Sequence, residues 1–292
     1  MAVLLAGCDF SSSPSRRKPI VIATGALASG RVQLAGLERL DSLDAFSQWL
    51  ERDQAWVCGF DLPFGLPREL VQALGWPQDW LGCMRHYESL SREDIRRAFA
   101  AFCDSRPVGG KFAHRATDLP AGSSSSMKWV NPPVAYMLHA GVPRLIDAGV
   151  HLPVLHSAVQ ARAASPRCAH LPERVGLEAY PGLLARELLG VTGDARRSYK
   201  NDAKALQTPE RLIARKDLLT ALENGQTRLG LRLKLSHAQR DALVDDGTGD
   251  SLDAVLCLVQ AAWAQARHLE GHRAYGLPVH TDPLEGWIIS AG

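Results

Sequence analysis

The sequence predicts an α/β protein with a mixed sheet of five strands flanked by helices. Short apolar runs rich in Val and Ile occur between segments whose apolar residues recur at helical spacing. Clusters of Gly, Pro and Ser separate these segments, as expected for the connecting turns. The chain has 292 residues, 46% hydrophobic and 22% charged, which is typical of a globular protein with a large core. We expect one elaborated domain over residues 1–292.

Composition restricts the possible partners and the location. The net charge of +2 excludes a strongly basic nucleic-acid-binding surface, so any contact with nucleic acid depends on local patches of Lys and Arg. No apolar stretch approaches the roughly 20 residues of a membrane span, so we expect no membrane partner. The six cysteines form no Cys-x-x-Cys pair and several lie in apolar runs, which indicates reduced thiols in the cytoplasm.

Four strands are predicted in the first part of the chain. Three of them would form an antiparallel meander, at residues 3–10, 19–26 and 31–37. Ser42 can cap a helix that runs to about residue 52 with its apolar residues on one face. The fourth strand, residues 55–61, is continuously apolar up to Asp61 and is stopped by the prolines and glycine that follow.

Helical patterns dominate the rest of the chain. We expect helices at 69–74, 92–102, 132–146, 181–189, 209–223, 236–243 and 251–268. A fifth strand is expected at 175–180, and 285–289 is predicted to form a terminal strand. Residues 104–128 contain two glycines and four consecutive serines and predict a long mobile loop. Residues 68–172 would together form a helical and loop insertion between the fourth and fifth strands.

Four acidic residues lie where a predicted strand ends or a helix begins: Asp9, Asp61, Glu178 and Asp253. Three strands, a helix, a strand, an insertion, a strand and a long final helix is the element order of the ribonuclease H-like fold. In that topology the strands ending at Asp9 and Asp61 are parallel neighbours, so their carboxylates would meet at one sheet edge. Carboxylates that meet repel one another unless a cation or proton intervenes.

Six sequence stretches, in order along the chain, carry a resemblance to a known family. They are GCDFS at 7–11, FDLPFGLP at 60–67, LEAYPGLLARELLG at 177–190, YKN at 199–201, DSLDAVLCLVQAAWA at 250–264 and EGWI at 285–288. At these residues the chain resembles the DUF429 group of predicted nucleases with a ribonuclease H fold. The resemblance implies a site at the acidic residues more strongly than it implies a substrate.

The acids suit metal-dependent phosphodiester cleavage. Two divalent cations about 3.5–4 Å apart would activate water and stabilise the leaving oxygen, with several carboxylates as ligands. Asp9 would bridge the cations, Asp61 and Glu178 would complete the ligand set, and Asp253 would hold the cation on the water side. These four are the predicted catalytic residues, and Asp250, on the same helical face as Asp253, is a further predicted metal ligand. We expect Mg²⁺ or Mn²⁺ as cofactor.

Basic residues are candidates for binding the substrate. Lys200 could contact a phosphate or neutralise the acids. The alternative interpretation is that Lys200 is a solvated lysine without a functional role. Lys111, His114 and Arg115, with Lys128 nearby, could clamp a polyanion or belong to a solvated loop. The acids also have structural alternatives as turn formers or caps, Asp250 as an N-cap above all. The histidines do not have the spacing of a zinc site. The sequence contains no Gly-x-Ser-x-Gly motif, so it does not indicate a serine nucleophile.

The sequence therefore predicts a metal-dependent nuclease acting on DNA or RNA. Two alternatives keep the fold. The first is an ATP-binding phosphotransferase or ATPase of the actin–hexokinase type, with GCDFSSS as a phosphate-binding turn. The second is a catalytically silent module that binds metal or nucleic acid.

Overall fold

A computed structural model describes residues 3–192 and 195–292, with the side chains of 191–196 left aside. The described strands are β1 (Leu4–Asp9), β2 (Ile20–Ala28), β3 (Arg31–Leu40), β4 (Trp56–Asp61), β5 (Arg174–Glu178), β6 (Val191–Thr192), β7 (Ala195–Arg196) and β8 (Arg232–Lys234). Six of them form a mixed sheet in the order β5-β4-β1-β2-β3-β8, and β6 pairs with β7. The protein is thus an α/β protein.

Strand directions agree with the sequence prediction at the centre of the sheet. Strands β1, β2 and β3 form the antiparallel meander, and β4 pairs with β1 in parallel. Strand β5 continues the parallel pairing on β4, and β8 adds to β3 in parallel. The sheet therefore has six strands where five were predicted. Strand β8 escaped prediction because three residues are too few to establish alternation.

The described residues form eleven α-helices. They are α1 (Leu43–Leu50), α2 (Arg68–Ala73), α3 (Trp80–Ser89), α4 (Arg92–Asp104), α5 (Asp118–Ala121), α6 (Val134–Asp147), α7 (Ala158–Ala164), α8 (Pro181–Leu189), α9 (Pro209–Asn224), α10 (His237–Asp245) and α11 (Asp250–Leu269). Every predicted helix is present, and α3, α5 and α7 are additional. None of the helices in the described part of the chain is long and apolar enough to cross a membrane.

Helices cover both faces of the sheet. One face, which carries Cys8 and Phe60, packs against α1–α4 and α6 in one apolar core. The opposite face, which carries Leu5 and Val57, packs against α8–α11 in a second core. Helices α2–α7 all lie between β4 and β5 in the chain, so most of this predicted insertion helps to build the first core.

Two predicted features are corrected. Residues 285–289 form turns and irregular chain rather than a strand, since Gly286 and the adjacent Ser290 have positive φ values of 72° and 65° that interrupt an extended chain. The second part of the predicted loop at 104–128 is packed rather than mobile, because it contains α5 and the buried residues Arg115 and Asp118.

Candidate metal centre and adjoining cavity

Three acids from distant parts of the chain converge at one edge of the sheet. Asp9 and Asp61 are the last residues of the parallel neighbours β1 and β4, and their Cα atoms are paired in register. Asp253 lies in the first turn of α11. One carboxylate oxygen from each lies within 4.8 Å of the others. We call Asp9, Asp61 and Asp253 the acidic cluster.

Glycines on β1 and β4 bring Asp253 into this cluster. A Cβ atom added to Gly7 would lie 2.1 Å from the carbonyl oxygen of Ala254 and from the amide nitrogen of Leu258. One added to Gly59 would lie 2.7 Å from the carbonyl oxygen of Cys257. The backbone of α11 therefore rests directly on the sheet, with no side chain between them. This contact determines how closely Asp253 approaches Asp9 and Asp61.

Strand register separates Glu178 from the acidic cluster. Glu178 is paired with Phe60, one residue before Asp61. Paired residues on neighbouring strands point to the same face and successive residues to opposite faces. Glu178 therefore shares the face of Phe60, whereas Asp9 and Asp61 point to the face that α11 covers. The acidic cluster does not include Glu178, although it was predicted as a metal ligand.

Glu178 instead joins a buried ionic network. Its carboxylate accepts two hydrogen bonds from the guanidinium of Arg115, at 2.8 and 2.6 Å, and one from the backbone N–H of Phe64 at 2.9 Å. Arg115 also donates to Asp118. Burial acts to lower the pKa of Arg115, but Glu178 and Asp118 more than offset this and raise it. The predicted substrate-binding residue Arg115 is thus committed to internal ion pairs.

Glu285 extends this network to the end of the chain. Its carboxylate accepts hydrogen bonds from the backbone N–H groups of Arg68 at 2.7 Å and Ala116 at 2.9 Å. The backbone N–H of Ile289 donates to the carbonyl of Glu178 at 2.9 Å. Four sequence-distant segments are therefore fixed beneath the acidic cluster by charged and backbone hydrogen bonds.

Asp253 has two partners on one short segment. The hydroxyl of Tyr199 and the ammonium of Lys200 both donate to its carboxylate. Asp253 is fully buried, whereas 42% of the Lys200 side chain is exposed. Burial acts to lower the pKa of Lys200, but the charge of Asp253 outweighs it and raises that pKa well above its usual value. Lys200 is thus a charged group between the cluster and solvent.

Crowding of the acids perturbs their titration. Burial, with the charge of Asp253 next, raises the pKa of Asp61 to about 7, and Lys200 opposes this. The same causes raise the pKa of Asp9 well above its ordinary value. Such shifts are expected where carboxylates share a site with too little positive charge. The cluster therefore favours an added proton or cation.

Asp250 is also placed outside the acidic cluster. It is the first residue of α11, and the N-cap is Gly249 rather than Asp250. Burial and the nearby charge of Asp246 raise the pKa of Asp250. Its position in the first helical turn suits interaction with the helix dipole. Asp250 and Asp253 share a helical face, but of the two it is Asp253 that meets Asp9 and Asp61.

A cavity of about 500 Å³ opens beside the cluster. Asp61, Glu178 and Lys200 line its acidic end, and Arg186, Arg197 and Tyr180 line other parts of the wall. Apolar side chains such as Leu62 and Met137 contribute much of the remaining surface. We call this the site cavity. Its size and its mixed lining suit a ligand with an apolar body and anionic groups.

The remaining predicted basic residues do not line the site cavity. Lys111 and His114 are exposed and Lys128 is partly buried. The Nδ1 atom of His114 lies 3.8 Å from an oxygen of Asp118. Four basic residues were proposed at 111–128, and the site cavity is lined by Arg115 but not by the other three.

Sequence reasoning missed several residues of this region. Tyr199 belongs to the YKN stretch but was not predicted as a partner of Asp253. Arg186 and Arg197 had no assigned role, although Arg186 lies within the LEAYPGLLARELLG stretch. The sequence feature that could have indicated these residues was their proximity along the chain to Glu178 and Lys200.

Comparison of the chain with protein-family models, curated proteins and solved structures found no match.

Proposed function

We propose that this protein is a metal-dependent nuclease that hydrolyses phosphodiester bonds, with Mg²⁺ or Mn²⁺ as its cofactor. The observation that carries the proposal is the convergence of Asp9, Asp61 and Asp253 within 4.8 Å. A ribonuclease H-like interpretation of the mixed sheet and the resemblance to DUF429 support the same assignment.

The donor set of the acidic cluster fits a hard divalent cation. Its ligand atoms are carboxylate oxygens, which Mg²⁺ and Mn²⁺ prefer. The raised pKa values of Asp9 and Asp61 reflect burial and negative charge that a cation would compensate. Asp9, Asp61 and Asp253 would hold the cation, which when bound would activate water and stabilise the leaving oxygen.

Protein groups around the cluster have separate tasks in this proposal. Tyr199 fixes the orientation of the Asp253 carboxylate through its hydroxyl. Lys200 neutralises Asp253 and also lines the site cavity, so its ammonium is available to a phosphate oxygen. The Glu178–Arg115 pair holds the loop after β4, through the N–H of Phe64, next to Asp61.

The proposal is tested by a manganese- and magnesium-dependent cleavage screen over single-stranded, duplex, hybrid and branched nucleic acids. We expect Asp9→Asn to abolish cleavage while leaving the folded structure intact. Asp53→Asn is the matched control, since Asp53 is exposed and precedes β4 at the opposite end of that strand. Circular dichroism and melting temperature would establish that both variants fold.

The outcomes separate the alternatives. Unchanged cleavage by Asp9→Asn, on a substrate that the parent cuts, would exclude the proposed mechanism. ATP turnover without cleavage of nucleic acid would favour a phosphotransferase of the actin–hexokinase type. Calorimetric binding of Mg²⁺ or Mn²⁺ without turnover of any substrate would favour a silent binding module.

A further inference from the structure

We infer that the nucleic acid is single-stranded and follows a path of three connected cavities that leads away from the acidic cluster. This inference rests on the proposed function, because the nuclease site defines where the path begins. It adds the substrate's strandedness and the surface that holds it.

The three cavities adjoin one another at shared arginines. The site cavity shares Arg186 with a second cavity of about 360 Å³, which is also lined by Gly122 and Leu183. That second cavity shares Arg228 with a third of about 420 Å³. We call these the middle cavity and the tryptophan cavity. Neighbouring cavities with a common wall residue lie side by side, so a flexible strand could pass over Arg186 and Arg228 from one cavity to the next.

Each part of the path presents positive charge. Within the described part of the chain, Arg186 forms no ion pair and donates instead to the Tyr180 hydroxyl and to the Ala121 carbonyl. Arg228 and Arg267 are more than a third exposed and pair with Glu187 and Glu270, of which Glu187 also lines the middle cavity. A row of arginines at successive cavities suits the regularly spaced phosphates of a polynucleotide.

Aromatic side chains suited to base stacking occur at the far end of the path, whereas at the site cavity the Arg186 guanidinium covers a face of the Tyr180 ring, 5.1 Å from its centroid. Trp263 and Trp287 line the tryptophan cavity beside Arg267 and His272. Aromatic faces combined with a positive groove bind unpaired bases by stacking. Duplex DNA keeps its bases stacked inside the helix and could not use these faces.

Cavity size also favours a single strand over a duplex. A volume of about 500 Å³ is that of a small-ligand pocket and corresponds to a nucleotide or two rather than a double helix. Asp61 and Lys200 at its wall place the scissile phosphate next to the acidic cluster. The middle and tryptophan cavities would then hold the nucleotides that follow along the same strand.

The test measures binding separately from cleavage. Fluorescence anisotropy in EDTA, with labelled oligodeoxythymidylates of about four to about sixteen nucleotides, reports affinity and its salt dependence. We expect the double variant Arg228→Ala/Arg267→Ala to lose affinity about tenfold or more for the longer strands and little for the shortest. The slope of log affinity against log salt should fall by about 0.7 for each arginine that contacts a phosphate.

Arg52→Ala is the matched control, because Arg52 also forms an exposed pair, with Glu38, but precedes β4 at the end away from the cluster. It should leave affinity and salt slope unchanged. The inference is overturned if the double variant binds long strands like the parent, if duplex of equal length binds more tightly, or if the parent binds no single strand. Arginine-dependent binding without cleavage by any metal form would support the path and refute the nuclease.

Discussion

Asp61→Asn should stabilise the protein in the absence of divalent metal. The replacement keeps the shape of the side chain and removes its charge from the acidic cluster. Burial and the charge of Asp253 raise the pKa of Asp61 from 3.8 to about 7. At about 1.4 kcal/mol per pKa unit, this difference corresponds to roughly 4 kcal/mol for the ionised carboxylate. Since Asp61 lines a cavity open to water, we expect a gain of roughly 2–4 kcal/mol.

The gain depends on pH in a defined direction. Folded Asp61 binds its proton more tightly than the unfolded chain does, so the metal-free parent loses stability as the pH rises from about 4 to about 7. Asn at this position carries no charge at any pH. The difference between variant and parent should therefore be largest at about pH 8 and smaller at about pH 5.

Urea unfolding and thermal melting in EDTA would measure this difference. At about pH 8 we expect the melting temperature of Asp61→Asn to exceed that of the parent by roughly 3–7 °C. Added Mg²⁺ should stabilise the parent more than the variant, since a cation that binds the folded state stabilises it by mass action. Asp53→Asn should behave like the parent throughout. A variant less stable than the parent in EDTA at that pH would refute the electrostatic reasoning.

Two further substitutions test the scaffold beneath the cluster. Arg115→Ala would leave Glu178 and Asp118 buried without their shared partner, and we expect a loss of about 3–5 kcal/mol in the urea-derived free energy of unfolding. A loss below about 1 kcal/mol would contradict the buried network. Gly7→Ala should displace α11 from the sheet, cost about 1–3 kcal/mol or more and weaken Mn²⁺ binding in calorimetry. Its control is Gly36→Ala, where the nearest atom to an added Cβ lies 3.9 Å away, and equal effects of the two would contradict the close helix–sheet contact.

The parts of the fold that sequence could predict were those with strong local patterns. Strands β1 and β4 are continuous apolar runs that end at an acid, so their boundaries and their role at the sheet edge were accessible. Helix α11 combines a long apolar stretch with acidic residues in its first turn. The parallel pairing of β1 with β4 followed from the order of elements rather than from any single residue.

The remainder depended on information that is not local. The face on which the Glu178 side chain lies is set by the register in which β5 pairs with β4. A shift of one residue in that pairing would place the side chain on the opposite face of the sheet. Arg115 looked like a residue of an exposed loop because its partners, Glu178 and Asp118, lie near it only after folding. Asp250 was indistinguishable from Asp253 by helical spacing, whereas the packing of α11 on the sheet brings Asp253 and not Asp250 to Asp9 and Asp61.

The glycine contacts of α11 have a consequence for ligand exchange at the cluster. Gly7 and Gly59 let the helix backbone pack directly against the sheet, and this packing fixes the backbone positions from which the three carboxylates extend. Under the proposed function, a cation would find the backbone that carries the three carboxylates already in place, and the Lys200 side chain would be the group that has to move. Its association should then be governed by the loss of hydration water and by departure of the Lys200 ammonium from Asp253.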